Sequence, residues 1–439
     1  MTVMSVRRKG IAARPEYFRY SDKRQGFPLL PTRFLHSMFF FGAKEGDMTT
    51  FADSSRLAST LEGCRRPVIV VGSGIFGSVL AERLAGGAGR DVVVLERRAH
   101  IGGNSYSEID PETGIEVHRY GSHIFHTKSE KVWNYISRFA RFNTYRHKVL
   151  TTSGGRVYTM PISLMTINAF FGKCLRPDEV GAFLAASTEN FRGGEPANLE
   201  EKAISLIGED LYRAFIRGYT AKQWGRDPKE LPAEIITRLP VRHNYNTDYF
   251  NDPHQGIPLD GYGGLFEKLL DHDNIRVFLN TDYFDVRRLI PETAEVVWTG
   301  MADRLLGYKY GHLEWRSLRF EYERLETEDY QGTAVMNYAD EDVPWTRIHE
   351  FKHYHPERDA FTSAGTVLCK EFPAAWKPGD EAYYPIGNDR NRALYRRYAD
   401  EIALRPGWHL GGRLGAYQYW DMDRAVEKAL ELYETSFQP

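Results

Sequence analysis

The pattern of hydrophobic positions is clearest at residues 68–71 and 92–95, two uninterrupted runs of Val, Ile and Leu. A run without polar alternation is typical of a strand that is buried on both faces of a parallel sheet. Between the two runs, residues 72–77 form a glycine-rich turn that leads into a helical stretch. The order strand, turn, helix and strand predicts a βαβ unit.

Further along the chain, the pattern changes from strand-like to helical. Residues 148–161 contain two β-rich runs on either side of Ser153-Gly154-Gly155, which predicts a hairpin. Residues 164–226 have hydrophobic positions at helical spacing, with helix-start chemistry after Pro177 and Asn198. This part of the chain is predicted to be a helical domain.

The last part of the chain returns to strands. Residues 274–280 and 295–300 predict strands that rejoin the first sheet, which makes the first domain discontinuous. Short aromatic and β-branched runs at 305–384 predict a mostly antiparallel sheet, and a final helix begins near Asp421 and Asp423. We therefore expect the α/β class, with a discontinuous Rossmann-like domain, an inserted helical domain and a mostly antiparallel β-sheet domain. The expected boundaries are 1–64 for a flexible N-terminal extension, 65–145 with 256–303 and 387–439 for the Rossmann-like domain, 165–255 for the helical substrate and lid domain, and 146–164 with 304–386 for the sheet domain.

Composition narrows the class of protein. The chain has 439 residues, 42% of them hydrophobic, and a formal net charge of −2. This length allows two or three domains with a sizeable core. A general nucleic-acid partner is excluded, because binding a phosphate backbone needs clustered excess Lys and Arg. Since no apolar run reaches the ~20 residues that span a bilayer, we expect no membrane association and a cytoplasmic location.

The N-terminal segment differs from the rest of the chain in its basic, acid-poor start at Arg7-Arg8-Lys9. We interpret it as a flexible tail or as the product of an upstream start codon, with Met48 as the alternative initiator. An organelle transit peptide or a segment for an acidic partner is the alternative.

Cysteine and histidine spacing gives no metal-binding signature. The three cysteines are far apart and lack CxxC spacing, so we expect reduced thiols. Histidines cluster at 118–126 and at 349–355, but neither group has HExxH or paired-Cys spacing, and we expect no metal.

Candidate chemistry begins at the glycine turn. Gly72, Gly74 and Gly77 permit a tight turn, a close approach of backbone to a pyrophosphate, and packing of helix on strand. The following helix N-terminus faces the phosphates. Glu96 ends the second strand, where a carboxylate accepts from a ribose 2′-hydroxyl and repels a 2′-phosphate. The sequence predicts a dinucleotide site that disfavours NADP.

A second glycine pair, Gly102-Gly103, resembles the loop of two-dinucleotide flavoproteins that approaches the flavin side of the cofactor. This resemblance implies FAD in the Rossmann-like domain.

Three segments dense in Gly, Trp, Tyr and Arg carry a closer resemblance. They are residues 218–225, residues 336–347 and residues 411–423, and residues 238–251 add an Arg-Leu-Pro-Val-Arg motif with Asn-Tyr and Tyr-Phe-Asn. In these motifs the chain resembles the UDP-galactopyranose mutase family from residue 66 to its C-terminus. Only the N-terminal extension has no counterpart in the bacterial pattern.

The resemblance implies an isomerase that interconverts UDP-galactopyranose and UDP-galactofuranose. In the family's accepted mechanism, N5 of reduced FAD attacks the anomeric carbon and expels UDP, and the ring then opens and recloses. An external reductant such as NAD(P)H is therefore implied, and the family often forms homodimers. The resemblance further implies that the product is used for cell-wall or surface polysaccharides.

The resemblance also implies roles for individual residues. Arg238 and Arg347 are the expected diphosphate ligands, since the guanidinium fork binds phosphate oxygens and stabilises departing UDP. Arg238 lies beside residues 230–237, which resemble the family's mobile lid. Structural hydrogen bonding and acid-base work both remain open for His126. The remaining expected substrate contacts are Phe215, Tyr219, Trp224, Tyr249, Phe250, Asn337, Tyr384, Tyr419 and His147, and the expected cofactor contacts are Gly72, Gly74, Phe76, Gly77, Glu96, Arg97, Gly103, Asn104, His123, Gly412, Arg413, Asp421 and Met422.

Two other classes of protein remain open. A flavin oxidoreductase of the amine-oxidase or protoporphyrinogen-oxidase kind shares the FAD domain, and a non-catalytic FAD scaffold is the third alternative. The pair Arg238 and Arg347 favours the mutase, because an apolar or amine substrate needs no diphosphate site. His147, Trp345 and Phe351 depart from residues that are common in the family and affect expected sugar contacts.

Overall fold

The computed structural model describes residues 49–189, 194–238 and 240–438, with residues 49–53, 237 and 238 described by their backbone alone. The predicted tail before residue 49 therefore lies outside the described residues. The strands are, in chain order, β1 (Val68–Val71), β2 (Val92–Leu95), β3 (Ser107–Ile109), β4 (Glu116–His118), β5 (Phe125–Thr127), β6 (Val149–Ser153), β7 (Arg156–Met160), β8 (His254–Gly256), β9 (Ile275–Phe278), β10 (Glu295–Trp298), β11 (Trp315–Leu325), β12 (Val335–Tyr338), β13 (Arg347–Glu350), β14 (Thr366–Ala375), β15 (Tyr384–Pro385) and β16 (Trp408–Leu410).

Helices connect these strands, together with short 3₁₀ and π-helical turns. The α-helices are α1 (Thr49–Gly63), α2 (Ile75–Glu82), α3 (Glu130–Ile136), α4 (Leu164–Phe171), α5 (Pro177–Ser187), α6 (Leu199–Leu211), α7 (Gly218–Trp224), α8 (Gly261–Leu270), α9 (Tyr283–Val286), α10 (Ala302–Leu305), α11 (Asp389–Ala403), α12 (Gly412–Gly415) and α13 (Met422–Ser436).

The first sheet is parallel and has the order β16-β10-β1-β2-β9. Its central strands β1 and β2 are almost fully buried, as their uninterrupted hydrophobic runs predict. The late strands β9, β10 and β16 flank them, which confirms that chain segments far apart in sequence complete one Rossmann-like sheet.

The second sheet has the order β15-β11-β14-β13-β12-β6-β7. Its pairs are antiparallel except for β12 with β6, which run parallel. The predicted hairpin is β6 and β7, joined through Gly154 and Gly155. The expected mostly antiparallel sheet is thus confirmed.

The helical part lies between β7 and β8 and contains α4 to α7. The side chain of Asn198 accepts a hydrogen bond from the backbone N–H of Glu201, which fixes the start of α6. Pro177 occupies the first turn of α5, where its missing N–H leaves no helical bond unmade. Both helix starts confirm the sequence analysis.

Helix α1 lies within the segment that we expected to be an extension. Its Leu57 and Leu61 are buried in one core cluster with Ile69 and Val93 of the first sheet. The expected boundary at residue 64 therefore falls at the end of a packed helix. In the part of the chain that the structure describes, none of the helices combines the length and hydropathy needed to cross a bilayer.

Candidate active site

The turn between β1 and α2 forms a backbone cradle. Gly72 adopts φ +104°, a conformation that favours glycine. A Cβ on Gly77 would lie 2.1 Å from the carbonyl oxygen of Gly72, so the helix start packs directly on the turn. Gly74 is the N-cap of α2 in extended conformation and leaves the first helical N–H groups without side-chain partners. This arrangement suits a pyrophosphate.

Two further glycine turns close on the cradle. A Cβ on Gly103, at φ +57°, would lie 2.9 Å from Cα of Gly74. A Cβ on Gly411 would lie 2.1 Å from the ring of Phe76, just before Gly412 begins α12. The backbone of Gly74 and the ring of Phe76 leave no room for side chains at Gly103 and Gly411, and the residues present therefore fit a dinucleotide.

Glu96 is buried at the end of β2 and has three donors from the protein. Its carboxylate accepts from the backbone N–H of Ser73 at 2.9 Å, from the Ser73 hydroxyl at 2.7 Å, and from the backbone N–H of Arg98 at 2.9 Å. These bonds tie the second strand to the glycine turn. Its contact with a ribose hydroxyl stays a prediction.

The other expected cofactor contacts lie on neighbouring loops. Arg97 forms an exposed ion pair with Glu381 at 2.6 Å, and Asn104 accepts from Arg98 at 2.9 Å. The hydroxyl of Ser105 lies 3.4 Å from the sulfur of Met422, which joins the second glycine loop to the start of α13.

Arg347 lies at the start of β13, in line with two polar residues on adjacent strands. The register pairs it with Asn337 of β12 on one side and Glu371 of β14 on the other. Its Nε lies 3.4 Å from the buried carboxylate of Glu371, and its guanidinium donates to the Tyr219 hydroxyl. Although burial opposes the charge, Glu371 holds the pKa of Arg347 well above its usual value. Arg347 therefore remains cationic.

Tyrosines gather around this cation. The Arg347 charge acts on Tyr219, Tyr249 and Tyr384, so all four groups lie near one another. Burial raises the pKa of Tyr219 to about 12, and burial also raises the pKa of Tyr384 well above its usual value. Their hydroxyls therefore keep their protons at neutral pH. Such hydroxyls donate hydrogen bonds to anionic oxygens.

Tyr419 extends this group towards the glycine turns. Its ring lies 5.5 Å from that of Tyr384, and the guanidinium of Arg413 lies 4.9 Å from the Tyr419 ring centre. Arg413 also donates to the carbonyl oxygen of Trp420 at 2.6 Å. Asp421 follows as the N-cap residue of α13.

Two histidines stack on the ring of Phe250. The His126 ring lies 3.6 Å from it and the His147 ring 5.6 Å, both nearly parallel to it. Nδ1 of His126 lies 2.6 Å from a carboxylate oxygen of Asp252, so this nitrogen carries a proton and orients the ring. Burial, with the nearby charge of Arg347, lowers the pKa of His147 to about 3.

His123 belongs to a buried loop. Its Nδ1 donates to the carbonyl oxygen of Gly121 at 2.8 Å, and its backbone N–H donates to Nδ1 of His118 at 3.1 Å. Burial lowers the pKa of His123 to about 4, assisted by the Arg413 charge. This histidine is neutral at physiological pH.

Three further expected site residues, Arg238, Phe215 and Trp224, lie between β7 and β8. Arg238 ends the 3₁₀ helix Ala233–Arg238, and its side chain lies outside the described part of the chain. Phe215 is buried between the rings of Tyr158 and Phe170 in the helical domain. Trp224 ends α7 and is half-buried.

Sequence reasoning missed several polar residues that support this site. Glu371, His349 and Asp252 bond to expected site residues or to one another. Lys222 lies one helical turn beyond Tyr219 and donates to backbone carbonyls. The contacts of Glu371 with Arg347 and His349 depend on the register of β14 on β13. Lys222, in contrast, lies inside the 218–225 motif and could have been recognised from the sequence.

The chain is similar to known sugar-nucleotide mutases over most of its length. A model of the UDP-galactopyranose mutase family matches residues 214–419, and a model of NAD(P)-binding Rossmann-like domains matches residues 70–139. The chain is 43% identical to a probable UDP-galactopyranose mutase of Klebsiella pneumoniae, over 83% of this chain and 93% of that protein. It is 39% identical to a dTDP-fucopyranose mutase of Escherichia coli, over 83% and 96%.

Solved structures share the fold at low sequence identity. A crystal structure of reduced UDP-galactopyranose mutase superposes with a TM-score of 0.66 at 15% identity, covering 84% of this chain and 93% of that one. A putative protoporphyrinogen oxidase from Exiguobacterium gives a TM-score of 0.58 at 13% identity, covering 84% and 98%.

The Rossmann-like sheet, its glycine cradle and the attached antiparallel sheet define an α/β protein with a dinucleotide-binding domain. Together with the relatives' identity over most of their length, this shows that the chain belongs to the UDP-galactopyranose mutase family and is an isomerase. The family predicted from the sequence motifs is thereby confirmed.

Proposed function

We propose that the protein interconverts UDP-galactopyranose and UDP-galactofuranose and that FAD, in its reduced form, is its cofactor. The observation that carries this proposal is Arg347, a permanently charged guanidinium held by Glu371 and ringed by protonated tyrosine hydroxyls. A fixed cation with several neutral donors suits a diphosphate. Neither an apolar nor an amine substrate has use for it.

When bound, reduced FAD supplies the nucleophile, N5, for the anomeric carbon of the sugar. The chain's own part is to hold the cofactor and leave room for the sugar nucleotide. The glycines at 72, 74 and 77 present backbone N–H groups to the pyrophosphate, and Glu96 accepts from the ribose. The guanidinium of Arg413 and the N-terminus of α13, which begins after Asp421, would stabilise negative charge on the reduced flavin.

Arg347 binds the UDP diphosphate and stabilises the charge that appears when the bond to the sugar breaks. Tyr384 donates to the same oxygens through a hydroxyl that stays protonated, and so does Tyr419, whose ring lies beside that of Tyr384, through its own hydroxyl group. Arg238 is the second diphosphate ligand of this proposal, by its place in the Arg-Leu-Pro-Val-Arg motif. Because arginine has no accessible neutral form, this charge is independent of pH in the working range.

The sugar end of the site is proposed to lie at the stacked histidines. His147 is neutral and offers hydrogen bonds without adding charge. Asp252 fixes the His126 ring with Nδ1 protonated, which directs Nε2 towards other partners. We assign His126 to orienting a sugar hydroxyl or moving its proton.

The identity of the bound nucleotide is tested by a binding experiment. Because a relative at 39% identity is named dTDP-fucopyranose mutase, UDP and dTDP should be titrated in parallel, with quenching of tryptophan fluorescence as the readout. Binding of UDP at least about tenfold tighter than dTDP supports the galactose substrate. The reverse order assigns the chain to dTDP-fucopyranose, and binding of neither nucleotide favours the oxidoreductase alternative.

A further inference from the structure

The ammonium group of Lys222 lies among backbone carbonyl oxygens of one loop. Its Nζ is 2.8 Å from the carbonyl oxygen of Tyr338, 2.7 Å from that of Asp340, 3.0 Å from that of Val343 and 3.2 Å from that of Trp345. An ammonium has three protons, so four carbonyl partners satisfy it fully. This loop joins β12 to β13 and ends immediately before Arg347.

The ammonium group of Lys222 is part of the hydrogen-bond network of the β12–β13 loop. The backbone N–H of Tyr338 donates to the carbonyl oxygen of Thr346 at 2.9 Å, which closes the loop, while four other carbonyls of this segment accept from Lys222. Burial lowers the pKa of Lys222 to about 8, opposed by the charges of Asp340, Asp342 and Glu341. Without a cation, several inward carbonyls lose their partner at once.

Helix α7, which carries Lys222, also contacts the β12–β13 loop and the start of β13 at two other points. A Cβ on Gly218 would lie 2.4 Å from the carbonyl oxygen of Ala339, so helix and loop touch through their backbones. Tyr219 precedes Lys222 by three positions, which places both on one face of α7. The Tyr219 hydroxyl accepts from Arg347. One helix face thus holds both the loop and the guanidinium that follows it.

We propose that Lys222 is a positioning residue that fixes α7 to the β12–β13 loop and so sets the place of Arg347 relative to Tyr219. This inference rests on the proposed function only in assigning Tyr219 and Arg347 to the nucleotide. A compact ammonium fits among four carbonyls, whereas the planar fork of arginine does not. The side chain touches no reacting group and acts through Arg347.

The first test needs no nucleotide sugar or UDP. Amide hydrogen exchange is compared in the FAD-bound wild type, K222M and K268M, where Lys268 is an exposed helix lysine paired with Asp260. Methionine keeps the length of the side chain but removes its charge. We expect peptides covering residues 338–346 to exchange at least about tenfold faster in K222M only. Unchanged exchange in that loop overturns the proposal.

The second test measures positioning. K222M should bind UDP about tenfold more weakly and raise KM while kcat at saturation stays within about threefold, since contacts to bound nucleotide are weakened without loss of a reacting group. FAD content and the thermal midpoint check the fold. Adding propylammonium, which replaces the missing atoms, should restore UDP affinity in K222A. Rescue no better than with 1-propanol contradicts the positioning role.

Failure of the proposed function and failure of the positioning role of Lys222 give different results. If the wild type itself does not bind UDP, the proposed function is wrong, and the exchange experiment still decides whether Lys222 holds the loop. If the wild type binds UDP and K222M binds it equally well, the positioning role alone is overturned.

Discussion

Nε of Arg347 lies 3.4 Å from a carboxylate oxygen of Glu371, directly across the pairing of β13 with β14. The other carboxylate oxygen lies 3.2 Å from Nε2 of His349, which is fully buried. The protein therefore holds the guanidinium from its inner side before any ligand arrives. A cation held in this way loses little freedom on binding a diphosphate.

Replacing Arg347 by lysine should lower kcat/KM roughly 100-fold, because a point charge cannot reproduce the guanidinium fork on the diphosphate. The change keeps a cation beside Glu371, so FAD content and folding should be retained. Steady-state kinetics with UDP-galactofuranose measure the effect. The matched control is R319K at an exposed arginine of β11; an equal loss in both variants contradicts the assignment.

Tyr219→Phe should weaken UDP binding between about twofold and tenfold, because it removes one hydroxyl partner of Arg347 while leaving the ring. Calorimetric titration with UDP measures the change. Tyr330→Phe, at an exposed tyrosine, is the control. UDP affinity in Y219F equal to that of the wild type argues against a role for this hydroxyl in the site.

Gly77→Ala should yield protein with little bound FAD, because the new methyl group would lie 2.1 Å from the carbonyl oxygen of Gly72 and force the cradle apart. The ratio of flavin to protein absorbance after purification gives the result. Gly387→Ala provides the comparison, since a Cβ at that position meets nothing within 4 Å. Full FAD content in G77A contradicts the assigned cofactor site.

Glu350 provides a test of pH dependence away from the site. Although burial opposes its charge, the imidazole of His353, 3.6 Å away, and two backbone N–H donors lower the pKa of Glu350 to about 2. A depressed carboxyl pKa stabilises the fold above the unfolded value near 4.5, and this stabilisation is lost as pH falls towards 2.

The stability lost in Glu350→Gln should therefore shrink by about 2 kcal/mol between pH 7 and pH 3. Urea unfolding at both pH values gives the difference, with Glu267→Gln at an exposed site of α8 as the control. A pH-independent difference contradicts this account. Glu350, Asp329 and His353 bring their ligand-type atoms within 4.8 Å of one another, so the buffers should contain a chelator.

Much of the fold follows from the hydrophobic pattern, but several helices were not predicted, α8 and α11 among them. Helix α8 contains Gly263 and Gly264, which oppose helix formation, and is stabilised by burial of Leu265 and Phe266. Helix α11 is dominated by charged residues and buries few side chains, Tyr398 among them. Tertiary packing decides both, and local sequence does not show it.

Only part of the site was predicted from the sequence, because some of its contacts depend on tertiary structure. Arg347 and Tyr219 were identified because each occupies a matching position in a motif that resembles the family. Glu371 lies on β14, and only the register of β13 on β14 brings it to Arg347 and to His349, which follows Arg347 by two positions on β13. Registers depend on the whole sheet and cannot be read from either strand alone.

The central claim is tested most directly by incubating dithionite-reduced protein with UDP-galactofuranose without oxygen and separating the nucleotide sugars by liquid chromatography. Air-oxidised protein is the control. The account predicts UDP-galactopyranose in the reduced sample and none in the oxidised one, because the reduced flavin supplies the nucleophile. Equal conversion by both forms contradicts the flavin's role, and no conversion by reduced, FAD-loaded protein contradicts the proposed reaction.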